Sequence, residues 1–285
     1  MSYKIESITS TIPVSGQSYT DLRPCISADS IEDYREALVE VGRLAGNDAF
    51  TQRMSRKSAG EVQLEKVCTN DGCLYFNPAT HTYEDEDGNV FTSGSVWASK
   101  FEKPFEAEKI APKVAEKRLT TADKIIEGWN LKGEVSCDYG TAVHKAVQCA
   151  VEYGEMPNNP HLLALAQDAV DILKDAETVS EQFICSFEEK LCGRVDLLIN
   201  KGNKHIIIVD FKTTDLEKRA DLTPEAKELW NLPNKILSIY QLQLSFYAHI
   251  LTKMGYHVDG LEVWAENAEA WKIVKLPVLD VTKGL

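Results

Sequence analysis

Residues Gly193–Thr214, GRVDLLINKGNKHIIIVDFKTT, decide the reading of the chain. Two runs rich in aliphatic and β-branched residues flank Asn200-Lys201-Gly202-Asn203, a turn-forming cluster, and this is the pattern of an antiparallel hairpin. Charges interrupt both runs: Asp196 in the first, Asp210 and Lys212 in the second. Strand side chains alternate with period two, so Asp210 and Lys212 share one face while Val209 and Phe211 take the other. With the turn centred on Gly202, Asp196 opposes Ile208 and lies diagonally beside Asp210, roughly 7–8 Å away at Cα. Two carboxylates then converge on one cation, with an ammonium group beside them. A slip of one residue would turn Asp196 to the opposite face. Taken alone, Asp-x-Lys equally fits a surface hairpin whose charges blunt an edge strand.

The remaining composition bounds what such a hairpin can serve. A chain of 285 residues holds one large domain or a domain with an appendage. Its 44% hydrophobic and 26% charged residues are those of an ordinary globular protein. No apolar run reaches the ~18–20 residues of a membrane span, and the polar start MSYKIESITS lacks a signal-peptide core, so the expectation is a cytoplasmic protein without membrane partners. Seven scattered cysteines fit reduced thiols better than a disulfide framework. A net charge of -13 excludes simple DNA binding through a uniformly basic surface. Binding to phosphate then requires a locally basic region, such as residues 98–132, or divalent cations at the carboxylates.

In chain order, residues 1–75 read as an N-terminal appendage, mostly helical, with one helix from Ser30 to Gly46 and a second to about Ser58. Cys68, Cys73 and His81 lack a fourth zinc ligand and read as ordinary residues. From Leu74 short strands follow, with a turn at Asp87-Gly88 and a helix starting at Ser95. Helices are expected over about 95–101, 104–118, 121–132, 138–155 and 161–175. Lys109, Lys113 and Lys117 recur every four residues as a basic stripe, either a solvated face or a contact for a nucleic-acid backbone. In the helix over 138–155, Ala142, Val143, Ala146, Val147, Ala150 and Val151 form the buried face. His144 lies beside it, as a satisfied boundary residue or a metal ligand. Strands are expected around Glu181 and over the closing segment HVDGLEVWAENAEAWKIVKLPV. In the helix NKILSIYQLQLSFYAHILTKMG, Ile236, Tyr240, Tyr247, Ile250 and Met254 share a face with Gln243, whose amide needs partners if buried.

Gly140…His144, Asp196, Asp210-x-Lys212 and Gln243-x-x-x-Tyr247 occur in an order that resembles the PD-(D/E)xK nuclease superfamily, and more closely its RecB-like and mitochondrial genome maintenance exonuclease branch. The resemblance spans roughly residues 76–255. It implies an α/β (α+β) fold: a restriction-endonuclease-like core over 76–285, with a central mixed β-sheet flanked by helices, and a helical extension over 1–75. It implies Mg²⁺ or Mn²⁺ held by His144, Asp196, Asp210 and the backbone carbonyl of Phe211, with Glu181 as a further acidic residue. Lys212 would orient or help deprotonate the attacking water. Thr141, Tyr240, Gln243 and Tyr247 would position a DNA strand. Several relatives carry an iron–sulfur cluster on four cysteines; here no cysteine follows Cys192, so none is expected. The implied activity is metal-dependent exonuclease action on single-stranded DNA or DNA ends, in replication, recombination or repair, in a bacterial or phage-infected cell. A recombinase or helicase would be a fitting partner. A structure-specific endonuclease, and a weakly cutting nucleic-acid- or partner-binding protein, are the alternatives.

Overall fold

The computed structural model describes the backbone of residues 3–5, 9–11, 18–20 and 26–28, and residues 65–69, 72–77 and 80–285. The first four segments are short strands: β1 (Tyr3–Ile5) pairs with β4 (Ile26–Ala28), and β2 (Thr9–Thr11) pairs with β3 (Ser18–Thr20). The helices expected over 30–46 and up to 58 lie outside the described residues. The chain divides into two compact units that interleave in sequence, one of residues 1–59 and 104–170, the other of residues 60–103 and 171–285.

The second unit is built on a nine-stranded mixed sheet. One wing is β5 (Glu65–Thr69), β6 (Gly72–Asn77), β7 (Thr82–Glu84) and β8 (Val90–Ser93), all antiparallel. The other is β11 (His205–Lys212), β12 (His257–Asn267) and β13 (Ala270–Leu276), with β11 and β12 parallel. Between the wings runs β10 (Leu191–Gly202), which pairs along its length with β9 (Glu177–Ser186). On its other edge β10 changes partner: Leu191 and Cys192 pair with β8 in parallel, whereas Leu197 to Gly202 pair antiparallel with β11. The sheet therefore forks beside Gly193–Asp196. The expectation of a central mixed sheet flanked by helices is met.

Burial of apolar side chains fixes the helices on this sheet. Helix α6 (Ile236–Lys253) packs against β9, β10, β11 and β12, and against α1 (Gly94–Ser99). It buries residues around much of its circumference, including Ile239, Leu242, Phe246 and Leu251 besides the expected Tyr247 and Ile250. Met254, assigned to the same face, is exposed because the helix ends at Lys253. Trp97, Phe101, Trp230 and Phe246 stack edge-on or tilted in the same core, with Trp230 supplied by α5 (Pro224–Trp230). In the other unit, α2 (Ala107–Arg118) starts three residues later than expected, after Glu106, and exposes Lys109, Lys113 and Lys117. Helix α4 (Pro160–Leu173) matches its expected span closely.

Three expectations are corrected. The stretches 121–132 and 138–155 are one continuous helix, α3 (Ala122–Tyr153), of 32 residues. Gly133 lies inside it with nothing within 4 Å of where a Cβ would stand, so an exposed glycine costs only propensity and does not end the helix. Its buried face matches at Ala142, Val143, Ala146, Val147 and Ala150, with Val151 half-buried. Secondly, Cys68 and Cys73 are not thiols but a disulfide, placed directly across the β5–β6 ladder from each other. Thirdly, the 193–214 hairpin turns one residue further on than a Gly202-centred turn requires, which moves each cross-strand partner by two. Asn203 and Lys204 take the positive-φ positions (φ 52° and 65°), and a bulge between Asn200 and Gly202 absorbs the offset. No helix among the described residues is long and apolar enough to cross a membrane.

Candidate active site

The corrected register decides the site. Leu197 faces Val209, so extending the ladder by one pair sets Asp196 directly across from Asp210, not diagonally beside it. A shift of two residues preserves which face each side chain takes. On the other edge of β10, Val195 faces Gln182 and Leu197 faces Ser180, which sets Glu181 directly across from Asp196. Glu181, Asp196 and Asp210 thus form a row across three adjacent strands, at the level where β10 exchanges β8 for β11. Like charges directly opposed on neighbouring strands are destabilising. Glu181 also holds φ 51°, in the left-handed region that a residue with a Cβ enters at a cost of about 1–2 kcal/mol.

The side chains around the row are held by specific contacts. Asp196 Oδ2 accepts a hydrogen bond from the Phe211 backbone N–H at 2.9 Å, which ties the first carboxylate to the strand bearing the second. Asp210 is 3% exposed, and its Oδ2 lies 2.7 Å from Lys212 Nζ. Burial disfavours the Lys212 ammonium, but Asp210, and then Asp196, outweigh it and carry its pKa above the ordinary lysine value. An ammonium held in that way donates hydrogen bonds and counters negative charge. The ammonium also lies 4.7 Å from the centre of the Tyr240 ring, a cation–π contact. Burial likewise raises the pKa of the Tyr240 hydroxyl.

Gln243 and Tyr247, four residues apart on α6, lie on one helical face, and Gln243 Nε2 donates to the Tyr247 hydroxyl at 3.1 Å. Burial pushes the Tyr247 phenol well above its usual range, so it is neutral and able to donate onward. Its ring lies against Gly94 and Gly193. A Cβ at Gly94 would come within 2.9 Å of Tyr247 Cζ, and one at Gly193 within 3.1 Å, each closer still to Cε1. The two glycines are close-approach positions that sequence reasoning passed over; their signal is only that each opens or interrupts an otherwise apolar element. Glu188 and Glu189 occupy the turn between β9 and β10, as expected, and Glu189 binds His249 and Lys253 at 2.9 and 3.1 Å.

The sheet unit therefore brings together Glu181, Asp196, Asp210, Lys212 and Tyr240, with the Gln243–Tyr247 pair on the adjoining helix. Residues 161–277 match the PD-(D/E)XK nuclease superfamily. Every one of these side chains lies in the matched segment, and Asp210-Phe211-Lys212 supplies the acid-x-lysine that gives the superfamily its name. No curated protein matches the chain. His144 and Thr141 precede the matched segment and belong to the other unit. His144 is half-buried on α3. Thr141 is exposed in the interior of α3, not in its first turn, and its hydroxyl donates to the Cys137 carbonyl at 2.9 Å. The reason for expecting it to meet a strand, a free helix start, is absent.

Three carboxyl groups in one row, with the Lys212 ammonium beside Asp210, offer oxygen donors of the kind that suits a hard divalent cation. The residues present fit the metal that the superfamily match implies.

Proposed function

We propose that the chain is a metal-dependent deoxyribonuclease of RecB-like type, an exonuclease consuming DNA strands from their ends. The observation that supports it most is the Glu181–Asp196–Asp210 row with Lys212 beside it, inside the superfamily match. Asp196, Asp210, the Phe211 carbonyl and Glu181 would hold one or two Mg²⁺ or Mn²⁺, with His144 as a further ligand; an imidazole ligand would tilt the preference toward Mn²⁺. Bound there, a divalent ion supplies an acidified water and charge neutralisation at the phosphate and leaving oxygen.

The chain's own residues supply the rest. Lys212, fixed by Asp210 and by the Tyr240 ring, would orient the attacking water and counter charge developing on the phosphate. Gln243 and Tyr247 would hold the strand, with the phenol as a neutral donor. Participation in replication, recombination or repair, beside a recombinase or helicase, belongs to the same reading. The acidic exterior, at net charge -13, means that attraction to DNA would depend on these local groups and on bound cations.

Digestion of end-labelled single- and double-stranded DNA, with Mn²⁺, with Mg²⁺ and with EDTA, tests the reading. Metal-dependent release of nucleotides from ends, abolished by Lys212→Ala, is expected. Degradation that persists in EDTA would overturn it. Opening of a covalently closed single-stranded circle would replace the exonuclease by an endonuclease. Binding without cleavage, unchanged by Asp210→Ala, would favour the weakly cutting alternative. For His144, the check is Mn²⁺ affinity: His144→Ala should weaken it while leaving the fold intact by circular dichroism.

A further inference from the structure

A second donor set stands at the opposite end of the same strands. His205 opens β11 and His257 opens β12, and the parallel register pairs them directly. Their rings stack with centroids 4.4 Å apart. Asp259 Oδ1 lies 2.7 Å from His205 Nδ1 and 2.9 Å from His257 Nδ1. One ligand atom from each of the three residues falls within 4.8 Å of the others.

The backbone is built to make this convergence. Ile206 pairs with Val258 and Ile207 with Gly260, so Asp259 is an extra residue on β12 with no opposite number. Bulges are rare between parallel strands, and they re-aim the side chain of the inserted residue. Without the bulge, the alternation that places His257 would leave Asp259 beside the next pair along. With it, one carboxylate oxygen addresses both imidazoles. All three groups remain open to solvent, with side chains 43%, 68% and 36% exposed for His205, His257 and Asp259.

We propose that His205, His257 and Asp259 form a binding site for a borderline transition-metal dication, Zn²⁺ being the representative probe. Two imidazoles and a carboxylate supply three ligands of a tetrahedral site and leave the fourth position to water. Imidazole discriminates against Mg²⁺, so this site and the carboxylate row sort metals by hardness. Its position five residues along β11 from Asp210, roughly 17 Å at about 3.3 Å per residue, keeps the two sites apart. The ion clips the start of β11 to the start of β12, whatever reaction the other end carries out.

Equilibrium dialysis of the metal-stripped full chain against Zn²⁺, with Mg²⁺ in large excess, tests the site. One equivalent of Zn²⁺ is expected, with affinity lowered about 100-fold or more in His257→Ala and in Asp259→Asn. Uptake should persist in Asp196→Asn/Asp210→Asn. Zn²⁺ uptake unchanged in His205→Ala/His257→Ala, which keeps every cysteine and carboxylate of the row, would overturn the proposal. So would loss of all uptake in the carboxylate variant while its circular dichroism matches the wild-type chain. Circular dichroism of each variant separates loss of the site from loss of the fold.

Discussion

The two ends of β11 hold the same ingredients, carboxylates and nitrogen groups, under different conditions. At the Asp210 end Asp210 is buried and Glu181, Asp196 and Lys212 are half-buried, the partner nitrogen is an ammonium, and the acids come from three strands. At the His205 end the groups are exposed, the nitrogens are imidazoles, and one acid serves both. Burial makes the first set costly to assemble, since charges withdrawn from water must be compensated by each other or by a ligand. Exposure makes the second set cheap, and only its geometry, the bulge at Asp259, distinguishes it from an ordinary surface ion pair. Charge at the first end and coordination chemistry at the second are what each end offers a cation.

The sharpest way to break this contrast is at Lys212. Lys212→Ala or Asp210→Asn should lower metal-dependent DNA hydrolysis by roughly 10²–10³-fold or more, as loss of a preorganised charge does elsewhere. Release of labelled nucleotides measures it, and His257→Ala assayed in parallel should leave hydrolysis at the wild-type rate. Next in size is the Zn²⁺ affinity of His257→Ala, about 100-fold weaker by dialysis. If either variant disturbed both readouts, the two ends would not be independent. Gly193→Ala comes next: it drives a methyl group into the Tyr247 ring, and overpacking of that kind costs about 1–3 kcal/mol, read as a lower urea midpoint. The smallest effect is expected at Glu181→Gly. Relief of the left-handed strain should raise stability by roughly 1 kcal/mol while metal affinity at the carboxylate row falls. A destabilised Glu181→Gly would mean that the residue's contacts outweigh its strain.

Much of the buried end was legible because it obeys local periodicities. Alternation gave the shared face of Asp210 and Lys212, and four-residue spacing gave the Gln243–Tyr247 pair. The register was not legible, because positive φ runs on past Gly202 through Asn203 to a lysine, Lys204, which the sequence does not mark as a turn position. That offset converted a diagonal pair of acids into a directly opposed one. The break expected near Gly133 failed for a different reason: an exposed glycine costs a helix only about 1 kcal/mol, and the packed residues on either side of it more than repay that. The disulfide was missed because it depends on the β5–β6 register, which sets Cys68 directly across from Cys73, and cysteine count and spacing alone do not show that register. The His205 end was invisible for a topological reason. Its residues are joined by a parallel crossover, and neither the pairing of β11 with β12 nor the bulge leaves a mark in local pattern.

The fork in β10 has a mechanical consequence. One strand belongs to both wings of the sheet, and the phenol ring of Tyr247 is wedged between Gly94, at the end of one wing, and Gly193, on the shared strand. A shim of fixed thickness at the point where two plates diverge sets the angle between them. The angle at which the two wings diverge beside the acids is therefore a property of one aromatic ring and two missing methyl groups.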